Sequence, residues 1–199
     1  YHPKTSCRRI EALYCMMTSD QPPLIITTVA SLLQKVIPKD ALTRSCEYLL
    51  TGEETDRDDL FRKLIQTGYQ EASLVEEPGD FAVRGALIDV FPPLYGDPVR
   101  IEFFGDAVDS LRSFSAQDQL SRGSLSELTV LPARETVLEK TEIENMVVRI
   151  RRQGDHLEMP GLRIEEVVER VQKQAQFPGI GGLLPLIFSS LETLFDYIP

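Results

Sequence analysis

From position 99 the chain reads Val99-Arg100-Ile101-Glu102-Phe103-Phe104-Gly105-Asp106-Ala107-Val108-Asp109-Ser110-Leu111-Arg112-Ser113-Phe114, two alternating runs about a Gly-Asp pair. A period of two is the mark of a half-buried strand, and Gly-Asp between two such runs makes a tight turn. Val99, Ile101 and Phe103 fall on one face of the first strand, and Arg100, Glu102 and Phe104 on the other. A four-residue step along a strand covers ~13 Å, so Arg100 and Phe104 stand about that far apart on one exposed face. Upstream, Glu76-Glu77-Pro78-Gly79-Asp80 reads as a turn and residues 81–91 as one long strand, joined to Val99 by the Pro-rich segment 91–98. The prediction is a meander of antiparallel strands.

A helix precedes the meander. Asp56 is placed to cap it, Leu60, Phe61, Leu64 and Ile65 form its apolar face, and Gly68 supplies a left-handed residue at its end. The acidic stretch 51–59 reads as a loop leading into a unit that begins near Cys46. On the N-terminal side, Thr5 or Ser6 caps a helix with Ile10, Leu13, Tyr14 and Met17 on one stripe, ended by Asp20, Pro22 and Pro23. Leu24 to Thr28 reads as a buried strand, and a following helix turns Val29, Leu32, Leu33 and Val36 inward before Pro38. Beyond the meander come a polar loop at 117–126 and a strand at 128–131. Thr141 and Glu144 have capping-box spacing for a helix to about Gln153, and a second helix runs from Arg163 to Gln174. The expected fold class is α/β together with α+β, in segments 1–45, 46–130 and 131–199.

Composition narrows function by exclusion. The 199 residues, 42% hydrophobic and 26% charged, suit a globular chain with a real core. A net charge of −10 argues against a surface that itself neutralises many phosphates. No apolar run approaches the ~20 residues of a membrane span, and Cys7, Cys15 and Cys46 form no C-x-x-C pair, which suits buried thiols in a reducing, cytoplasmic setting. The chain opens at Tyr1 and stops at Pro199 directly after an apolar run, and so reads as part of something longer.

No catalytic, metal or cofactor apparatus is legible. Gly179-Ile180-Gly181-Gly182 lacks the Lys and hydroxyl of a phosphate loop and reads as a turn. His2 and His156 stand alone, and the pairs Glu53-Glu54, Asp58-Asp59 and Glu165-Glu166 diverge on a helix rather than converging on an ion. The residue that asks for an explanation is Arg84, which interrupts an apolar run. Its guanidinium is either paired within the chain, with Asp89, Glu102 or Asp106, or engaged by a partner, and an outward Arg beside an outward aromatic is the composition of an interaction hot spot.

Several ordered blocks carry a resemblance: Gly79-Asp80-Phe81-Ala82-Val83-Arg84-Gly85, Ile88-Asp89-Val90-Phe91-Pro92, Arg100-Ile101-Glu102-Phe103-Phe104-Gly105-Asp106, Ser110-Leu111-Arg112, Leu131-Pro132-Ala133-Arg134-Glu135 and Leu194-Phe195-Asp196-Tyr197-Ile198-Pro199. They resemble the module shared by bacterial UvrB and the transcription-repair coupling factors (Mfd). Of the two, the coupling factors match better, because residues 1–10 run directly into a helix where UvrB is expected to carry a DNA-clamping hairpin. The resemblance implies a truncated, degenerate RecA-like α/β domain with an inserted antiparallel-sheet-plus-helix domain that docks onto UvrA. It implies that Arg84, Arg100 and Phe104 make that contact. It also implies that ATP, Mg, RNA polymerase and DNA concern other domains of the full protein, so that this segment is a non-catalytic recruiter of nucleotide-excision repair. The alternative is a piece of a UvrB-like DNA-clamping helicase or excinuclease subunit. The segment is expected to be monomeric, with self-association through an exposed edge as its hazard.

Overall fold

Asp56, placed by sequence at the head of a helix, sits there with its side chain accepting from the Asp58 and Asp59 amides. The computed structural model describes residues 3–19, 21, 24–138, 142–173 and 177–198. In chain order the elements are α1 (Pro3–Thr18), α2 (Val29–Leu32), β1 (Lys35–Val36), α3 (Lys39–Arg44), β2 (Glu47–Leu50) and α4 (Arg57–Gln66). Strands β3 (Gln70–Glu71), β4 (Asp80–Arg84), β5 (Leu87–Val90), β6 (Val99–Phe104), β7 (Ala107–Phe114), β8 (Ser121–Leu125) and β9 (Glu127–Val130) follow. The chain continues with α5 (Ile143–His156), α6 (Gly161–Gln172), a 3₁₀ turn at Ile180–Leu183, α7 (Leu184–Ile187), β10 (Glu192–Thr193) and α8 (Leu194–Tyr197). The mixture is α/β and α+β, as expected.

The central feature is a six-stranded sheet in the order β3-β4-β5-β6-β7-β8, antiparallel except for the parallel pair β3–β4. Its inner face presents Phe81, Ile88, Val90, Val99, Ile101, Phe103, Val108 and Leu111 to Leu60 and Leu64 of α4 and to Tyr69. Phe61 stands edge-on to Phe81 with ring centroids 5.7 Å apart. Helix α4 ends as its sequence requires: Gly68 follows the cap at φ +90°, a conformation in which any Cβ is strained. Where the unit enters and leaves, β2 and β9 pair antiparallel from Glu47↔Val130 to Leu50↔Glu127. A second core gathers Ile10, Leu13 and Met16 of α1 with Ile37, Leu42, Leu131 and Tyr197, whose hydroxyl donates to the Ile37 carbonyl at 2.7 Å. A third joins α5 and α6, with Ile150 packed among Ile164, Val168 and Val171.

Several expectations are corrected. The long strand 81–91 is a hairpin, β4 and β5, because Gly85 at φ +60° turns the chain between Arg84 and Leu87, which pair. The same device, Gly105 at φ +62°, joins β6 to β7. In both, a positive φ at the first turn residue alone matches the II′ geometry that suits strand twist. Residues 24–28 form no strand: Leu24 and Ile26 are 90% and 88% exposed, and no described strand pairs with them. The helix after them is the single turn α2, with Val29 and Leu33 exposed, and Val36 is buried from a strand instead. Of residues 24–28 only Ile25 packs against the second core, which leaves Leu24 and Ile26 in solvent. Thr5 and Ser6 lie inside α1 rather than capping it. The polar loop at 117–126 contains edge strand β8, held by ladder bonds to β7 that its non-alternating side chains do not announce. Cys15 is exposed, whereas Cys7 and Cys46 are buried. The readings placed on His2, Asp20, Pro22, Pro23, Thr141 and Gln174 lie outside the described residues.

A candidate docking face on the sheet

The outer face of the sheet follows from the same alternation that fills the core. Register places Ala82, Asp89, Arg100 and Arg112 in one row across β4 to β7, and Arg84, Leu87, Glu102 and Ser110 in the next. Arg84 and Arg100 are thus brought to one face, on strands separated by β5 and one row apart, about 12 Å between their backbones. Phe104 extends the face at the end of β6. With Phe103 turned into the core, it stands 82% exposed beside the Gly105 turn.

The two arginines differ in what they already hold. Arg100 reaches across to Asp89, Nε to Oδ1 at 2.7 Å and Nη2 to Oδ2 at 2.8 Å, and its guanidinium lies 4.8 Å from the centre of the Phe114 ring. Asp89 is only 2% exposed. A carboxylate so buried requires a charged, hydrogen-bonded partner, and the two-pronged geometry of Arg supplies one. The Asp89 hydrogen bonds hold the Arg100 guanidinium above its ordinary pKa, so its charge is fixed. Arg112 stands directly opposite Arg100, a like-charge pairing that a sheet ordinarily disfavours. Glu102 relieves it by accepting from Arg112 Nη2 at 2.9 Å while also accepting from Ser110 Oγ at 3.1 Å.

Arg84 is exposed and donates from Nη2 to the carbonyl of Ser73. Among the described residues no acidic side chain pairs with it, so none of Asp89, Glu102 and Asp106 takes the role considered for it. Asp89 serves Arg100 and Glu102 serves Arg112. The loop that carries Ser73 folds Val75 over this face onto Ala82, Phe91 and Phe114, forming a small separate core. That core covers the Arg100 end. The part left open holds Arg84, Glu102, Phe104 and Arg112.

Sequence reading did not identify the Asp89–Arg100 pair, nor the group of Glu102, Ser110 and Arg112. The Gly85 turn sets Asp89 opposite Ala82 on the outer face, but only the pairing of β5 with β6 across the long segment 91–98 sets it opposite Arg100. Among the described residues no group of three or more His, Cys, Asp or Glu is placed to hold a metal ion. No helix among them is long and apolar enough to cross a membrane.

Residues 48–135 match the family described as the UvrB interaction domain. Over most of its length the chain is similar to transcription-repair-coupling factors, 36% identical over 191 residues to that of Myxococcus xanthus and 33% over 192 residues to that of Escherichia coli K12. The factor of Haemophilus influenzae is 28% identical over 198 residues, the whole of this chain. The chain spans 16–17% of the length of these relatives.

Proposed function

The chain is homologous to a segment of the transcription-repair-coupling factors and carries their UvrB interaction domain at residues 48–135, and from that premise we propose that its outer sheet face docks onto UvrA. In this reading the segment is a non-catalytic adaptor that brings the excision-repair machinery to a stalled RNA polymerase. Motor activity, ATP and Mg, and contacts with DNA and polymerase belong to the remaining length of such factors.

One observation carries the proposal: Phe104, a large aromatic 82% exposed on an ordered strand, shares an uncovered sheet face with Arg84, whose charge no carboxylate among the described residues neutralises. An exposed aromatic gains by burial, and a guanidinium with no carboxylate on it can meet an acidic partner surface as that happens. Arg84 and Phe104 serve as direct contacts. Arg100 contributes differently: held by Asp89, it sets the shape and positive rim of the face, with an outer edge that remains accessible. The domain limits follow the same reading, with 46–130 as the docking unit and 1–45 and 131–199 as the parts of the flanking domain.

The test is co-elution and calorimetry of the chain with purified bacterial UvrA. Binding that Arg84→Ala and Phe104→Ala each weaken, with unfolding curves unchanged, supports the proposal. Absence of binding by the wild-type chain, or binding that both substitutions leave intact, overturns it.

A further inference from the structure

Away from the sheet face, a cleft of about 860 Å³ opens between α1, β1, the segment 134–136 and the glycine turn 179–182. It is large enough to hold a small molecule rather than a water or two. Its charged lining is Arg9, Lys35, Arg134 and Glu135. Glu135 is already engaged: Oε1 accepts from Arg9 Nε at 2.7 Å and Oε2 from the Ile37 amide at 3.2 Å. With Arg9 and Glu135 offsetting one another, Lys35 and Arg134 leave the cleft positive in a chain whose net charge is −10.

Arg134 is the decisive residue. It is half-buried, and among the described residues its guanidinium makes no hydrogen bond and no ion pair. Its stem lies across Gly68: a Cβ there would come within 2.9 Å of Arg134 Cγ and 3.0 Å of Cδ. Gly68 is therefore required twice over, for its φ of +90° and for the room it gives this side chain. Burial lowers the pKa of the guanidinium, the sign of a cation held in a place that does not compensate it. A half-buried guanidinium with no partner among the described residues has lost part of its hydration, and an anion in the cleft would make that up. The neutral lining suits an oxyanion too, with the Ser6 hydroxyl and the Gln70 amide as hydrogen-bond donors.

We propose that this cleft binds a phosphoryl group, held by Arg134 and Lys35 with Ser6 and Gln70 as further donors, the Arg fork meeting two of its oxygens. The site shares no residue with the sheet face, so it stands or falls independently of the UvrA reading.

The experiment is calorimetric titration of the wild-type chain with inorganic phosphate and with pyrophosphate, against sodium chloride at matched ionic strength. Acetate serves as the carboxylate control. The expected result is saturable binding of both phosphates, weakened roughly tenfold or more by Arg134→Met, as the loss of a charge-assisted hydrogen-bond pair implies. Lys35→Met, at an exposed position, weakens it several-fold without disturbing the fold and keeps the test decisive if Arg134→Met fails to fold. Absence of saturable binding overturns the proposal. So does acetate binding as tightly as phosphate, which would mark a carboxylate site, or phosphate binding unchanged in Lys35→Met and any folded Arg134→Met protein.

Discussion

Asp89 and Arg100 face one another across β5 and β6 and share two hydrogen bonds, of 2.7 and 2.8 Å, which tie a fully buried carboxylate to a guanidinium seated over Phe114. The pair joins two roles on one sheet face, since it satisfies the interior and also fixes the rim of the docking surface proposed above. Removing either member leaves the other charge without its partner.

Asp89→Ala is therefore expected to destabilise the chain by about 2–4 kcal/mol, because the half-buried Arg100 loses the carboxylate it is paired with. Urea unfolding measures it, read as a fall in midpoint at constant slope. A change of less than about 0.5 kcal/mol, the range of ordinary surface substitutions, would contradict the structural role assigned to the pair.

Phe104→Ala is expected to behave in the opposite way. At 82% exposure the ring contributes little to folding, so stability should stay within about 0.5 kcal/mol of the wild type. UvrA affinity should fall by about 2 kcal/mol, near thirtyfold, as for a truncated interface anchor. Stability and binding measured on the same preparation separate the two effects, and a matched loss of both would count against an anchor.

Gly68→Ala places a Cβ at φ +90° against the Arg134 stem. A cost of about 1–3 kcal/mol is expected from the strained backbone. The displaced Arg134 should also weaken phosphate binding in the cleft. Thermal unfolding with and without pyrophosphate reads both, and a variant as stable as wild type would refute the close-packing account.

The thiols give a pH prediction. Burial raises Cys7 from its ordinary 9.0 to about 12 and Cys46 to about 11, so both stay protonated in the folded chain where the unfolded chain has begun to ionise. The unfolded state then binds fewer protons, and stability, flat below about pH 9, should fall as pH rises from there towards the folded values. In mild alkali an alkylating reagent should modify exposed Cys15 first and reach Cys7 and Cys46 only on unfolding. Mass spectrometry of peptides after timed labelling checks the order.

How far the sequence could be read depended on whether a residue's role was set by its neighbours in the chain. Asp56 as cap, Gly68 as helix end and the inward set Val99, Ile101 and Phe103 follow from local geometry alone, and the structure has each of them. The same logic went astray at 24–33, where Leu24, Ile26, Val29 and Leu33 stay in solvent, and at 121–125, where a strand without alternation is held by its neighbour's backbone. Arg100 and Phe104 could be assigned to outward positions from the alternation, whereas Arg84 stood out only as a charge in an apolar run. Which arginine is neutralised could not be assigned.

By itself, then, the sequence determined the mixed fold class, the helix before the sheet, the inward and outward faces of β6, and the resemblance carried by its ordered blocks, because these rest on periodicity, turn residues and residue order. Tertiary structure alone decided that Asp89 serves Arg100 rather than Arg84, that Glu102 takes Arg112, and that Arg134, unpaired among the described residues, lies in a cleft beside a turn some 45 positions along the chain. The physical reason is that a charge is satisfied by whatever lies within about 3 Å of it, and only pairing register and packing bring distant residues that close.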